Sequence, residues 1–546
     1  MTTVREAVWD LVRRHNVTSV FGNPGSTELS MLDRFPPDLR YVLGLQEAVV
    51  VGMADGHAQA TGTIAMVNVH TSAGLGNAMG AIVNAAANRT PMVVTAGQQV
   101  RAMMTLEALL TNVDATVLPR PAVKWAYEPP RAQDVPHALA RAFHLAASPP
   151  CGPVFVSLPM DDLEMDLGDA TGSGSAAEAA AAVIDRRVAA RATVPADELA
   201  ALARRIDAAA SPVLVLGGEV DRSGAFAAAI ELADKAGLPV WAAPLESGTC
   251  FPQTHPRFQG FLQPAIGLLA QQLSGHDLIV VAGAPVFRYY PYIPGPYLPP
   301  GAALAHITSD PDEASRAPVG DALVGDVGHA LTTLADLVKE AERTVPQRPG
   351  PHVLAETGSG AGTGAGQGMA PERVFATMAR VLPEHTLWVN ESPSNTLIFQ
   401  DQVRLTAPGS FLFCQGGGLG FGLPAAVGAQ LGRPDRRVVA VMGDGSMQYA
   451  IPALWTAAAY DVPVTVVVLT NHEYAILKLF GRLENVSGIP GLDIDGIDIR
   501  AIATGYGVPA HLVSSPAELA DLLGAETTGP RLLEIPISAT TKDLIS

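Results

Sequence analysis

Short, uninterrupted apolar runs recur along this chain, with helical patterns lying between them. The runs at 41–45, 64–69 and 92–95 come first, then Pro212–Leu216, 239–242 and Leu278–Ala282, and finally 438–442 and 464–469. Continuous apolar runs of this length are expected for parallel strands buried on both faces. The clearest unit is the last. A strand over 438–442, a helix over 452–460 and a strand over 464–469 make a β-α-β unit with a right-handed crossover. The carboxyl ends of its two strands must then point the same way.

Two low-complexity stretches interrupt the pattern. Residues 168–182 read GDATGSGSAAEAAAA, and residues 346–368 contain TGSGAGTGAGQG. Both are expected as surface linkers. They divide the chain into domains at 1–180, 183–345 and 369–546. The expected fold is α/β: three domains with mostly parallel sheets flanked by helices. No short-period repeat is visible.

Length supports this division, because 546 residues exceed one core and suit about three domains of ~180 residues. Hydrophobic residues make up 48% and charged residues only 16%, with mean hydropathy +0.23, so extensive burial is expected, subunit interfaces included. A net charge of −18 argues against nucleic acid and anionic membranes as partners. Cys151, Cys250 and Cys414 are scattered and odd in number, as expected in a reducing cytoplasm. The N-terminus carries no basic-then-apolar leader, and no apolar run approaches ~18 residues, so neither export nor membrane spanning is expected.

Candidate chemistry sits at the strand ends. Gly443-Asp444-Gly445-Ser446 follows one strand of the last unit, and Asn471 closes the other. A lone Gly-Asp-Gly turn often does no more than cap a helix. Asn471 at the neighbouring strand end favours a metal-diphosphate site instead: hard oxygen donors beside glycine amides suit Mg²⁺ or Ca²⁺ holding a diphosphate. Glu473 offers its backbone carbonyl as a third metal ligand. Ser446 and the amides after Gly445 open a helix, where an anion is favoured. Elsewhere, Glu47 stands in an unusually apolar setting, LGLQEAVV; His70 ends a strand; Ser26 follows one. Taken alone, these three have ordinary structural explanations: a helix-start acid, a strand-end histidine and an N-cap.

Longer motifs raise them above that. VFGNPGSTEL (20–29), LQEAVVVGMADGHAQATG (45–62), NVHTSAGLGNAMGA (68–81) and TAGQQVRAM (95–103) lie in the first domain. LLTNVDATVLPRPAVKW (109–125), GAPVFRY (283–289) and CQGGGLGFGLPAA (414–426) follow. With these the chain resembles the benzoylformate decarboxylase family, within the thiamine-diphosphate-dependent 2-oxo acid decarboxylase and acetolactate synthase superfamily. The likeness spans all three domains apart from the linkers.

The resemblance implies a pyrimidine-binding first domain, a middle domain and a diphosphate-binding third domain. It also implies active sites between subunits of a homotetramer built from dimers. Glu47 would hydrogen-bond the aminopyrimidine N1′ and share a proton there. His70 would face the reacting carbon as acid and base, and Ser26 would contact the substrate carboxylate. Leu419 would be the apolar wedge under the cofactor, with the Gly417 carbonyl on its 4′-amino group. Gly443, Asp444, Gly445, Ser446, Asn471 and Tyr474 would complete the cofactor contacts; Asp444, Asn471 and Glu473 would ligate Mg²⁺ or Ca²⁺. Ser26, His70, Pro393, Ile476 and Leu477 would line the substrate pocket.

Three positions depart from the family. Tyr290 stands where a second active-site histidine follows Phe-Arg-Tyr, and a phenol with a reference pKa near 10 is a poorer proton shuttle at neutral pH. Pro393 replaces a hydroxyl residue, and Ile476 a smaller alanine. The expected reaction is non-oxidative decarboxylation of a small 2-oxo acid, favouring an aromatic one like benzoylformate, to an aldehyde and CO₂. The alternatives are a carboligase or lyase of the acetolactate synthase or benzaldehyde lyase kind, and a non-catalytic thiamine-diphosphate-fold binding protein.

Overall fold

The computed structural model describes residues 2–168, 175–348 and 368–538. It contains three six-stranded sheets, each with helices on both faces. The first sheet is built from β1 (Ser19–Asn23), β2 (Arg40–Leu43), β3 (Ala65–Val69), β4 (Met92–Gln98), β5 (Ala126–Tyr127) and β6 (Pro153–Pro159), in the order β2-β1-β3-β4-β6-β5. The second uses β7 (Pro212–Leu216), β8 (Val240–Ala242), β9 (Phe258–Phe261), β10 (Leu278–Ala282), β11 (Ala303–Thr308) and β12 (Asp321–Val324), in the order β12-β11-β10-β7-β8-β9. The third uses β13 (Leu387–Glu391), β14 (Phe411–Phe413), β15 (Val438–Gly443), β16 (Thr465–Thr470), β17 (Ala510–Leu512) and β18 (Arg531–Pro536), in the order β14-β13-β15-β16-β18-β17.

Every pairing between these strands is parallel. Their central strands are buried throughout, which explains why they are continuous apolar runs in the sequence. The first and third sheets have the same strand order, counted from their own first strand. The middle sheet is wound differently.

One hydrophobic core is shared by the first and third domains, and it centres on helices Glu47–Thr61 and Gly422–Gly432. These two helices are apolar nearly all round, as expected for helices with no solvent face. Glycines bring their backbones together: a Cβ at Gly56 would run into the Ala425 carbonyl, and one at Gly428 into that of Met53.

Ser175 accepts the Glu178 amide and starts a helix, Ala176–Ile184, so part of the first expected linker is structured. Alanines favour that conformation, and Ala177 and Ala180 bury against the first domain. Residues 169–174 of that stretch, and nearly all of 346–368, lie outside the described residues. No described helix is long and apolar enough to cross a membrane.

Candidate active site

In the third domain, β15 and β16 run side by side with Gly443 opposite Leu469, so Asp444 and Asn471 emerge together. The buried Asp444 carboxylate ties the two loops. Its Oδ2 accepts the amides of Asn471 (3.0 Å) and His472 (2.7 Å), and its Oδ1 accepts the Gly445 amide (2.8 Å). His472 takes φ +59°, a left-handed turn uncommon outside glycine, directly between Asn471 and Glu473. Gly445 is required by space, because a Cβ there would lie 2.6 Å from the Tyr474 ring. Lys478 ion-pairs the Glu473 carboxylate. Among the described residues, no three His, Cys, Asp or Glu side chains cluster to hold a metal by themselves. A cation here would draw on mixed oxygen donors.

These residues open into a cleft of about 590 Å³. Tyr290, Pro393, Ile476, Leu477 and Phe480 line it, as do Gly417 and Leu419. The Tyr290 and Phe480 rings lie 4.9 Å apart, so the departure at Tyr290 builds an aromatic wall. The glycine loop beneath is tightly held. Asn84 Nδ2 donates to the Gly418 carbonyl (3.0 Å), Gly416 and Gly418 have no room for a Cβ beside Asn84, and Gly417 and Gly420 take φ +72° and +96°.

In the first domain, Glu47 starts its helix behind Gln46, whose side chain caps the amides of Ala48 and Val49. The approach to it is pinned by the third domain. Thr456 Oγ1 donates to the Leu43 carbonyl (2.9 Å), and the Leu43 amide donates to the Tyr460 hydroxyl (2.9 Å). Glu47 Oε2 accepts Asn77 Nδ2 (3.0 Å), and Gly74 leaves space beside Oε1. Asn77 and Gly74 lie on helix Thr71–Ala87, which His70 precedes as N-cap, so Glu47 and His70 flank one helix start.

His70 Nδ1 lies 2.7 Å from Glu28 Oε2 and 3.1 Å from Thr27 Oγ1. Glu28 is buried and also accepts the amides of Gly25 and Gly97, each at 2.8 Å. A carboxylate on Nδ1 favours the tautomer with the proton there, which leaves Nε2 as the unprotonated ring nitrogen. Ser26, at the surface of the same turn, begins the short 3₁₀ helix Ser26–Glu28.

Ser26, Glu47 and His70 are thus gathered in the first domain. None of them lines the cleft at Asp444 of the same chain. Sequence reasoning missed Glu28, Asn77, Phe480 and Glu391. Only Glu28 carried a local signal, the glutamate three positions after Gly25 that returns to cap its amide.

Three segments match descriptions of the thiamine pyrophosphate enzymes: the N-terminal TPP binding domain over residues 2–116, the central domain over 199–334 and the C-terminal TPP binding domain over 394–535. The chain is 46% identical to benzoylformate decarboxylase of Pseudomonas aeruginosa, over 98% of this chain and 99% of that one. It is 28% identical to the acetolactate synthase isozyme 3 large subunit of Escherichia coli, over 92% of this chain and 88% of that one. The crystal structure of benzoylformate decarboxylase from Polynucleobacter necessarius superposes with TM-score 0.94 at 41% identity, covering 100% of both chains. The thiamine diphosphate-dependent 4-hydroxybenzoylformate decarboxylase of Rhodococcus jostii RHA1 gives 0.93 at 43%, covering 98% and 99%. The chain therefore belongs to the thiamine diphosphate enzymes and, among them, to the benzoylformate decarboxylase family.

Proposed function

We propose that this carboxy-lyase splits an aromatic 2-oxo acid into an aldehyde and CO₂, at a site completed by a second copy of the chain. The carrying observation is the separation of two half-sites. Proton-handling groups gather in the first domain, an aromatic-walled cleft with a diphosphate-type loop lies between the middle and third domains, and one chain does not bring them into a common cleft. A homotetramer built from dimers would pair each half with its complement. Relatives named for benzoylformate and 4-hydroxybenzoylformate support an aromatic substrate, as does the Tyr290–Phe480 wall.

Asp444, Asn471 Oδ1 and the Glu473 carbonyl would supply oxygen donors to Mg²⁺ or Ca²⁺ beside the diphosphate. Gly445, Ser446 and Tyr474 would hold the diphosphate end. Thiamine diphosphate, when bound, supplies the attacking carbon and the electron sink for decarboxylation. The chain's own residues do the rest. Glu47 holds a proton at its free oxygen, oriented by Asn77. His70, with its Nδ1 proton held by Glu28, takes up a proton from solvent at Nε2 and passes it to the carbon that loses CO₂. Ser26 binds the substrate carboxylate, and Leu477 and Ile476 close the apolar side against water.

Chromatography of products from benzoylformate and pyruvate, with and without an added aldehyde, tests the reaction. Benzaldehyde and CO₂ are expected; mainly acyloin product would overturn the decarboxylase reading. Co-expressing Glu47→Gln and Asp444→Ala chains tests the site. Mixed assemblies regain activity if the halves come from different chains, and stay inactive if they come from one.

A further inference from the structure

Glu391 is the last residue of β13, and it is buried at the floor of the cleft. Both of its carboxylate oxygens are engaged by one loop some thirty residues further on. Oε1 accepts the Gly420 amide at 2.6 Å and Oε2 accepts the Gly422 amide, with the Phe421 amide facing it as well. The Phe421 and Gly422 amides are free ones at the start of helix Gly422–Gly432, whose own N-cap residue, Phe421, has no side-chain acceptor. A distant anion therefore does the capping that the local sequence omits.

A serine or asparagine in the loop could have satisfied one such amide without burying a charge. Burial pushes the Glu391 carboxyl up to about 7 against the opposing pull of the three amides. What the carboxylate adds over a local cap is a link between two elements. It fastens the end of β13 to the residue directly after Leu419. Gly422 makes that link rigid, since a Cβ there would lie 2.8 Å from Glu391 Oε2 and 2.7 Å from Met442 Sδ. Asn84 holds the other side of the loop at Gly418. Leu419 is therefore suspended between two held neighbours, Gly418 and Gly420, whose anchors, Asn84 and Glu391, both lie far from it in sequence.

We propose that Glu391 is a positioning residue that sets the height of Leu419 and the aim of the Gly417 carbonyl toward the cofactor. This rests on the reading of that loop as the cofactor's support. The tests are thiamine diphosphate titration of the apo-protein and near-ultraviolet circular dichroism of the bound cofactor, for Glu391→Gln, Glu391→Asp and Leu419→Ala. An amide in place of the carboxylate turns one acceptor into a donor facing an N–H. Glu391→Gln is expected to raise the thiamine diphosphate Kd about tenfold and to alter the dichroism bands as Leu419→Ala does, with Glu391→Asp between it and the wild type. A cap that only stabilised the helix would lower Tm and leave the dichroism of the bound cofactor unchanged. If Leu419→Ala changes both readouts while both Glu391 variants change neither, the role of Glu391 is overturned. If Leu419→Ala changes neither, the reading of the loop falls, and the proposal with it. Should Glu391→Gln fail to fold, Glu391→Asp carries the same decision.

Discussion

The first and third domains share a strand order but place different side chains at the strand ends. Counting by position in the sheet, β1 corresponds to β13, β2 to β14, β3 to β15 and β4 to β16. After β2 comes the helix that starts at Glu47; after β14 come Gly417, Leu419 and the helix Gly422–Gly432. After β3 comes His70; after β15 comes Asp444. After β1 the buried Glu28 accepts the amides of Gly25 and Gly97, and at the end of β13 the buried Glu391 accepts those of Gly420 and Gly422. One topology thus offers the same four strand ends twice. On the proposed reading, loop composition makes one set a proton-transfer site and the other an anion cradle. The helices after β2 and β14 pack on one another, so the equivalence is also the contact between the halves.

Disabling the cradle should have the largest effect. Asp444→Ala removes the acceptor that joins the loops after β15 and β16, and leaves the amides of Asn471 and His472 without it. Thiamine diphosphate affinity should fall at least about 100-fold in a titration with Mg²⁺. Disabling the other half should leave affinity alone. Glu47→Gln keeps shape and the Asn77 contact but cannot carry the proton. Its kcat should drop roughly 100- to 10,000-fold while the thiamine diphosphate Kd moves by less than about threefold. Near-normal turnover with cofactor bound would end the proton-sharing role.

Glu28→Gln sharpens the same contrast at a smaller scale. It leaves His70 in place but removes the carboxylate that selects its tautomer. A loss in kcat of roughly 10- to 100-fold is expected, again without loss of cofactor affinity. A comparable fall in affinity would mean that Glu28 supports the fold rather than His70.

Legibility followed sequence distance. The β-α-β unit carrying Asp444 and Asn471 is local, and its strands fall within one residue of the expected bounds. Glu47 and His70 stood out because family motifs surround them. Glu28 also sits in such a motif, at 20–29, yet neither it nor Glu391 revealed its partner, because the first acts on a histidine 42 residues away and the second on amides about 30 residues away. Pairings of that kind depend on which strand lies beside which, and no periodicity encodes strand order. The alanine-rich stretch misled for a different reason. Its composition looks like a linker, yet a serine cap and an apolar face of Ala177 and Ala180, with Val183 and Ile184 packed beside them, fold it onto a neighbour.

A last test probes the contact between the halves through stability rather than turnover. His57 lies on the helix Glu47–Thr61, with its ring edge-on to Phe21 and facing Gly432 of the partner helix. Burial, with Arg40 adding to it, lowers the His57 pKa to about 4 from an ordinary 6.5. The folded chain therefore keeps the ring neutral where the unfolded chain would protonate it. The associated stability is fully present above pH 6.5 and is lost as pH falls through 4, up to about 3 kcal/mol. His15, lowered to about 4 by burial beside His144 and Arg14, adds to the same slope from outside the interface. Urea midpoints measured between pH 7 and 4 should fall steeply for the wild type and less steeply for His57→Leu. Equal slopes would show that the contact between the two halves opens before His57 is protonated.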